Sequence, residues 1–372
     1  MKNISNILLI GGTGAMGKNL VKVLGQQGGF HVVITSRQKH KDTGNIEYRQ
    51  GNAHNIEWLQ PILQEREWDS IVDFMVYTTE EFKQRAPMLL NATTQYVFIS
   101  SARVYADSGN TLITEESPRL LDVCQDKEYL QTDEYALTKA RQENILINNQ
   151  QKNWTIIRPY ITYSDNRLQL GVMEKENWLI PALNNRPIVF SKDIAEHYTT
   201  MTDGVIVAKG IAALLTQPET KGEIYNIATH YSYLWKDILQ WYKEAYRDVK
   251  GVEPFVYLTD KWDGTFGGGI YQWKYDRLFN RRFDNEKICK YLAKSEFEET
   301  EVSLKNAMRD FIKSYNPQIS DLNQSVELKR GVLTGRFLPL NHVKGKKRIL
   351  KTIAYKLHIA KPLKLIRNIW NH

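Results

Sequence analysis

Ile7-Leu8-Leu9-Ile10, Gly11-Gly12-Thr13-Gly14-Ala15-Met16-Gly17 and Lys18-Asn19-Leu20-Val21-Lys22-Val23-Leu24 follow one another near the start of the chain, and their order decides the fold. An aliphatic run without polar alternation is the pattern of a parallel strand covered on both faces. Apolar residues then recur at Met16, Leu20, Val23 and Leu24, which is helical spacing. A strand, a glycine turn and a helix in this order make a cradle for a pyrophosphate. Gly11 permits the tight turn, Gly14 lets the backbone come close to the phosphates, and Gly17 lets the helix pack on the strand. Thr13, Ala15 and Met16 complete the turn, whose N–H groups and positive dipole end face an anion. Glycine turns also occur as plain structural loops; the flanking strand and helix favour dinucleotide binding here. The spacing is G-x-x-G-x-x-G.

Working outward, Phe30 to Thr35 reads as a second strand, and the residues closing it bear on the cofactor. A carboxylate at that place suits the ribose 2′-hydroxyl of NAD, whereas a cation suits the 2′-phosphate of NADP. Ser36-Arg37-Gln38-Lys39 offers a hydroxyl and a guanidinium and no acid, which favours NADP over NAD. Ile46 to Asn52 reads as a third strand ending at Asn52, whose amide can pair with an adenine edge. Pro61 to Glu67 reads as a helix, Ser70 to Val76 as a strand, Glu80 to Ala92 as a helix and Gln95 to Ser101 as a strand ending in Ser100 and Ser101. This alternation predicts a Rossmann-type, doubly wound parallel α/β sheet with ligands at the carboxyl ends of its strands.

Asp133 to Leu146 reads as a helix that places Tyr135 and Lys139 on one face. A phenol ordinarily loses its proton near pH 10, and a neighbouring ammonium favours the phenolate. Tyr135 is therefore the expected acid or base, Lys139 the group that lowers its pKa, and Ser101 the hydroxyl that positions the reacting oxygen.

With these residues in place the chain resembles the extended short-chain dehydrogenases/reductases, in particular the NAD-dependent epimerase/dehydratase group that acts on nucleotide sugars. Gly11 to Gly17, Phe-Ile-Ser-Ser-Ala-Arg-Val-Tyr at 98–105, Tyr135 with Lys139, Ile-Ile-Arg-Pro at 156–159 followed by Tyr163, and Gly-Glu-Ile-Tyr-Asn-Ile at 222–227 carry the resemblance, which spans about residues 5–310. It implies a catalytic set of Ser101, Tyr135 and Lys139, with Pro159 beside the nicotinamide. It also implies a Rossmann domain at 1–165 with a returning segment at about 200–230, and a smaller mixed α/β substrate lobe at 166–320. Asn52 stands where the family usually has Asp, and Asp73-Phe74-Met75-Val76-Tyr77 replaces its His-x-Ala-Ala. Leu121 to Thr132 lengthens the interval before Tyr135 and reads as a surface loop. Family dehydratases carry an acid pair where this chain has Ala102-Arg103, which argues against 4,6-dehydration. The reading that results is reduction of a 4-keto nucleotide sugar by NADPH. Its alternatives are a 4-epimerase with retained NAD and, from another class, a dinucleotide-binding sensor or scaffold.

Beyond Pro159, Leu168 to Arg186, Tyr231 to Val249 and Asp284 to Ala293 read as helices of the lobe. Its Trp235, Trp241, Trp262 and Trp273 are expected to pack its core. Cys124 and Cys289 are the only two cysteines; they fit neither a disulfide framework nor metal-ligand spacing, so no metal site is expected and the cytoplasm is the expected compartment. The net charge is +8, yet ten Lys and Arg and no acid lie from Gly331 to His372, so the rest of the chain is slightly acidic. Residues 321–372 are thus a basic tail, and no motif for nucleic-acid readout accompanies it. Ile349, Leu350, Ile353, Leu357 and Ala360 give the tail an apolar stripe that Leu363, Leu365, Ile366, Ile369 and Trp370 continue. Such a helix fits an anionic membrane surface, placing the chain on the inner face of that membrane. It fits equally well packing against the chain itself or against a second subunit in a homodimer.

Overall fold

The computed structural model describes residues 4–164, 167–260, 262–316 and 322–357. Two compact units emerge: the first comprises Met1–Arg167, Tyr198–Tyr233 and Phe279–Leu304, the second Leu168–His197, Leu234–Leu278 and Lys305–His372.

In the first unit, β1 (Ser5–Ile10), β2 (Phe30–Ser36), β3 (Ile46–Gln50), β4 (Trp68–Asp73), β5 (Thr93–Ile99), β6 (Trp154–Pro159) and a last strand Glu223–Ile227 form one parallel sheet. Across it the order is Glu223–Ile227, β6, β5, β4, β1, β2, β3. Leu8 of β1 lies opposite Val33 on one side and Ile71 on the other. The strand order therefore reverses at β1, where such sheets open a ligand crevice. Ile7 and Leu9 enter a core with Leu20, Leu24, Ile34 and the helix Gly204–Leu214. Leu8 and Ile10 enter the opposite core with Leu59, Ile62, Phe82 and Leu89. Alternate side chains of one aliphatic run are thus buried on both faces, as a doubly wound sheet requires.

Helices α1 (Ala15–Gln27), α2 (Ile56–Gln64) and α3 (Thr79–Asn91) join these strands. α2 begins earlier than the Pro61–Glu67 segment expected from the sequence, because the Asn55 side chain accepts the Glu57 N–H at 3.0 Å and caps it there. The segment expected to be a surface loop instead folds into two short helices, α4 (Leu120–Val123) and α5 (Lys127–Leu130), and Tyr129 is fully buried. Arg141 holds this segment by donating to the Thr132 carbonyl at 2.8 Å and the Leu130 carbonyl at 2.6 Å.

The second unit contains helices Lys175–Leu183, Trp235–Lys250, Gln324–Thr334 and Lys346–Lys356, with Ile188–Ser191 paired in parallel to Val256–Thr259. The helix expected over 168–186 is shorter, beginning only at Lys175; the segment 284–293, expected as a lobe helix, falls in the first unit and holds a single 3-10 turn at Ile288–Lys290. Trp178 packs against Tyr242 in a tilted pair with ring centroids 4.8 Å apart, and Trp235, Trp241 and Trp262 are buried. Those three indoles fill a core as expected, while Trp273 is only half-buried. The part of the tail from 358 onward lies outside the described residues.

Candidate active site

The Gly11–Gly17 turn is shaped by missing side chains. Gly11 has φ +71°, and its N–H donates to Thr35 Oγ1 at 2.8 Å. A Cβ on Gly17 would meet the Gly12 carbonyl oxygen at 2.4 Å, so α1 lies directly on the turn. Gly14 precedes α1 without a side-chain cap, and a Cβ there would meet nothing within 4 Å. Open space in front of an uncapped helix start is what a pyrophosphate needs. The turn fits that group.

Around it, Ser36 Oγ lies 3.4 Å from Thr13 Oγ1, 3.1 Å from His40 Nε2, and accepts the Gln38 N–H at 3.2 Å. Arg37 is exposed beside it. Asn52 is exposed too, and its Oδ1 accepts the His54 N–H at 3.1 Å in a local turn. Pro159 ends β6 and is followed by Ile161 at φ +21°, a strained value for a β-branched residue.

Ser101 follows β5 and caps the short turn Ala102–Val104, accepting the Arg103 N–H at 3.2 Å. The Ser100 hydroxyl, expected at the cofactor, donates at 2.6 Å to the fully buried Glu143. That carboxylate also accepts from Arg158 at 2.8 and 2.7 Å and from Arg119 at 3.1 Å.

Tyr135 opens α6 (Tyr135–Ile147), whose first turn is capped by Glu134 accepting the Ala136 N–H at 2.8 Å. Glu134 also receives the Arg103 guanidinium at 2.5 Å and the Tyr129 hydroxyl at 3.1 Å. One carboxylate thereby ties the Ser101 turn, the segment before α6 and the base of Tyr135 together. The Arg103 guanidinium lies over the Tyr135 ring, 5.3 Å from its centroid.

Tyr135 is 37% exposed, and the partial burial of its phenol pushes it above its ordinary pKa. Arg103 opposes that shift most, then Arg167, then the neighbouring Ser101. This corrects the expectation that Lys139 draws the phenol toward neutrality. Lys139 Nζ is 6.0 Å from the Tyr135 ring centroid, donates to the Ile99 carbonyl at 2.8 Å, and sits 4.5 Å from the Phe98 ring centroid. Burial lowers the ammonium to about 8 despite the pull of Asp73 and Glu143. Asp73 is buried as well. It accepts from the Met75 N–H and the Tyr96 hydroxyl, both at 2.9 Å, and burial pushes its carboxyl up. Tyr77 is turned inward toward Asp73 at 3.5 Å and is buried, so its ring does not add bulk to the crevice.

Glu134, Glu143 and Arg158 had no place in the reading from sequence. Glu143 was open to detection, since it lies one further helical repeat beyond Lys139 on the face carrying Tyr135.

The sheet order, the glycine turn and the placement of a phenol and a hydroxyl near the strand ends define a dinucleotide-binding α/β enzyme. The model of the NAD dependent epimerase/dehydratase family matches residues 7–228, and the chain belongs to that family. Among solved structures the fold is similar to dTDP-glucose 4,6-dehydratase from Bacillus anthracis in complex with NAD, at 18% identity and TM-score 0.63, covering 83% of this chain and 97% of that one. It is also similar to the epimerase Mth375 from Methanothermobacter thermautotrophicus, at 16% identity and TM-score 0.64, covering 84% and 93%. A third likeness is to UDP-glucuronic acid 4-epimerase from Bacillus cereus in complex with UDP-glucuronic acid and NAD, at 17% identity and TM-score 0.61, covering 83% and 99%. No curated protein matches the chain. Among the described residues no helix is long and apolar enough to cross a membrane.

Proposed function

We propose that the chain reduces the 4-keto group of a nucleotide-linked sugar, with Tyr135 as the acid. The observation that carries this reading is the phenol itself. It opens α6 beside the Arg103 guanidinium, which lies 5.3 Å from its ring centroid, and a phenol keeps at neutral pH the proton that a forming alkoxide needs. Oxidation of a sugar alcohol, the opening half of an epimerase cycle, asks for the phenolate, which burial disfavours.

Gly11, Thr13, Gly14, Ala15, Met16 and Gly17 would hold the pyrophosphate of the dinucleotide, with Ser36, Arg37 and Asn52 toward its adenosine end. A bound nicotinamide supplies the hydride. Tyr135 releases its proton to the sugar oxygen, Ser101 fixes the direction of that oxygen, and the Arg103–Glu134 pair keeps the two segments in register. Lys139 anchors α6 to the backbone at the end of β5. Exposed Arg37, with no acid between the end of β2 and Asp42, supports NADPH as the preferred reductant. Ala102 and Arg103, standing in place of an acid pair, speak against dehydration.

A 4-epimerase with retained NAD is the second reading, favoured by the NAD in the Bacillus cereus 4-epimerase of the same fold. Stoichiometry separates the two. Incubating the chain with a 4-keto nucleotide sugar and NADPH consumes one cofactor per product if the enzyme is a reductase. Tightly retained NAD with no net consumption would overturn the reductase reading. Cofactor binding without turnover of either substrate type would leave a sensor.

A further inference from the structure

The last part of the second unit builds a groove that the redox chemistry leaves unused. Helices Gln324–Thr334 and Lys346–Lys356 contribute to a cavity of about 1010 Å³ lined also by Phe266, Leu338 and Val343. The first of these helices is firmly fixed. Glu327 and Arg186 form a buried ion pair, and Arg330 donates to the Pro187 carbonyl at 2.6 Å and the Asn177 carbonyl at 2.8 Å. Phe337 closes on the same helix where a Cβ on Gly331 would meet its ring at 2.4 Å.

The rim is cationic. Lys344, Lys346, Lys347, Arg348 and Lys351 line it, all exposed, and among the described residues none has a carboxylate partner. From 328 to 372 the sequence has no Asp or Glu at all. The two acids lining the groove do not offset this charge. Glu327 is buried between Arg186 and Arg330, and the Asp263 carboxylate, 4.0 Å from Lys329, accepts the Thr265 N–H.

The helix Lys346–Lys356 divides its apolar stripe. Thr352 is buried and Ile349, Ile353 and Tyr355 are half-buried, so one face packs on the chain. Leu350 is 67% exposed, as is the adjoining Leu357 at 62%. Seven residues apart, they fall on one stripe with Lys346 and Lys347. One face of the helix is thus packed on the chain, while the face carrying Leu350 and Leu357 stays exposed.

We propose that this rim and the outer face of Lys346–Lys356 form a docking surface for a membrane bearing anionic phospholipids. Unpaired cations beside exposed leucines match lipid phosphates above an apolar layer. A nucleic acid would satisfy the cations and leave the leucines in water. The proposal is independent of the redox reading.

Co-sedimentation of the full chain with vesicles tests it. The chain binds vesicles of mixed phosphatidylglycerol and phosphatidylcholine, releases from them at high salt, and ignores pure phosphatidylcholine. Lys346→Gln combined with Lys347→Gln weakens binding roughly 25-fold, from about five-fold for each cation near an anionic surface. Leu350→Gln weakens it at every salt concentration. Both variants keep the wild-type midpoint of urea unfolding, which shows they are folded by a readout that does not depend on the reductase reading. No binding of the wild type to anionic vesicles would overturn the proposal. So would equal binding by the variants, or binding to heparin as tight as to vesicles and indifferent to Leu350→Gln.

Discussion

Between Gly11 and Gly17 the chain makes a site by leaving side chains out, whereas around Tyr135 it crowds them in. The turn needs only backbone: an open place at Gly14, a tight one at Gly17 and a left-handed one at Gly11. The surroundings of Tyr135 need side chains from separate stretches: Ser101 and Arg103 after β5, Glu134 and Lys139 on α6, and Tyr129 from the segment before it. A site made of backbone can tolerate exchange wherever there is room. A site made of buried charge is held only while each charge keeps its partner.

The largest effect on stability is expected where that second kind of site is cut. Glu143→Gln leaves the Arg158 guanidinium buried without its carboxylate and costs about 3–5 kcal/mol in urea unfolding. A cost well under 1 kcal/mol would mean that the charged cluster does not brace α6.

The turn offers a sharper contrast within itself. Gly17→Ala drives a methyl into the Gly12 carbonyl and costs about 1–3 kcal/mol, with loss of NADPH affinity. Gly14→Ala has room, stays within about 1 kcal/mol of wild type, and still weakens the cofactor because its methyl occupies the open space. Urea unfolding and fluorescence titration with NADPH read the two quantities separately. Equal stability of the two variants would break the comparison.

A further effect is a slope with pH. The Lys139 pKa is lowered from 10.5 to about 8 on folding, so between those values the unfolded chain holds more protons. Stability gained from this residue therefore rises with pH across that window, and below it the charged ammonium costs the fold about 3 kcal/mol. Relative to Lys139→Met, the wild type gains stability from pH 8 to 10. A difference that stays flat with pH would place this ammonium in water.

Legibility followed the same division. The parallel sheet and its turn were readable because seven consecutive residues and a few aliphatic runs contain all that they need. Tyr135 and Lys139 were readable as neighbours on a helix, but not what each faces. The partner of Lys139 is a carbonyl 40 residues back, and Glu143 gathers Ser100, Arg119 and Arg158 from 43, 24 and 15 residues away. Local periodicity carries no trace of such depth. The segment before Tyr135 looked like a loop because its one buried anchor, Tyr129, sits among polar residues. In the tail the stripe was visible, while its division between a packed face and an exposed one depends on the fixed helix Gln324–Thr334.

Everything proposed about chemistry rests on the phenol of Tyr135 being the proton donor. The most direct test follows NADPH absorbance after mixing with a 4-keto nucleotide sugar, in the wild type and in Tyr135→Phe matched for NADPH affinity. The account predicts turnover in the first and a loss of about 10²–10⁴-fold in the second. Equal rates in the two proteins would contradict it.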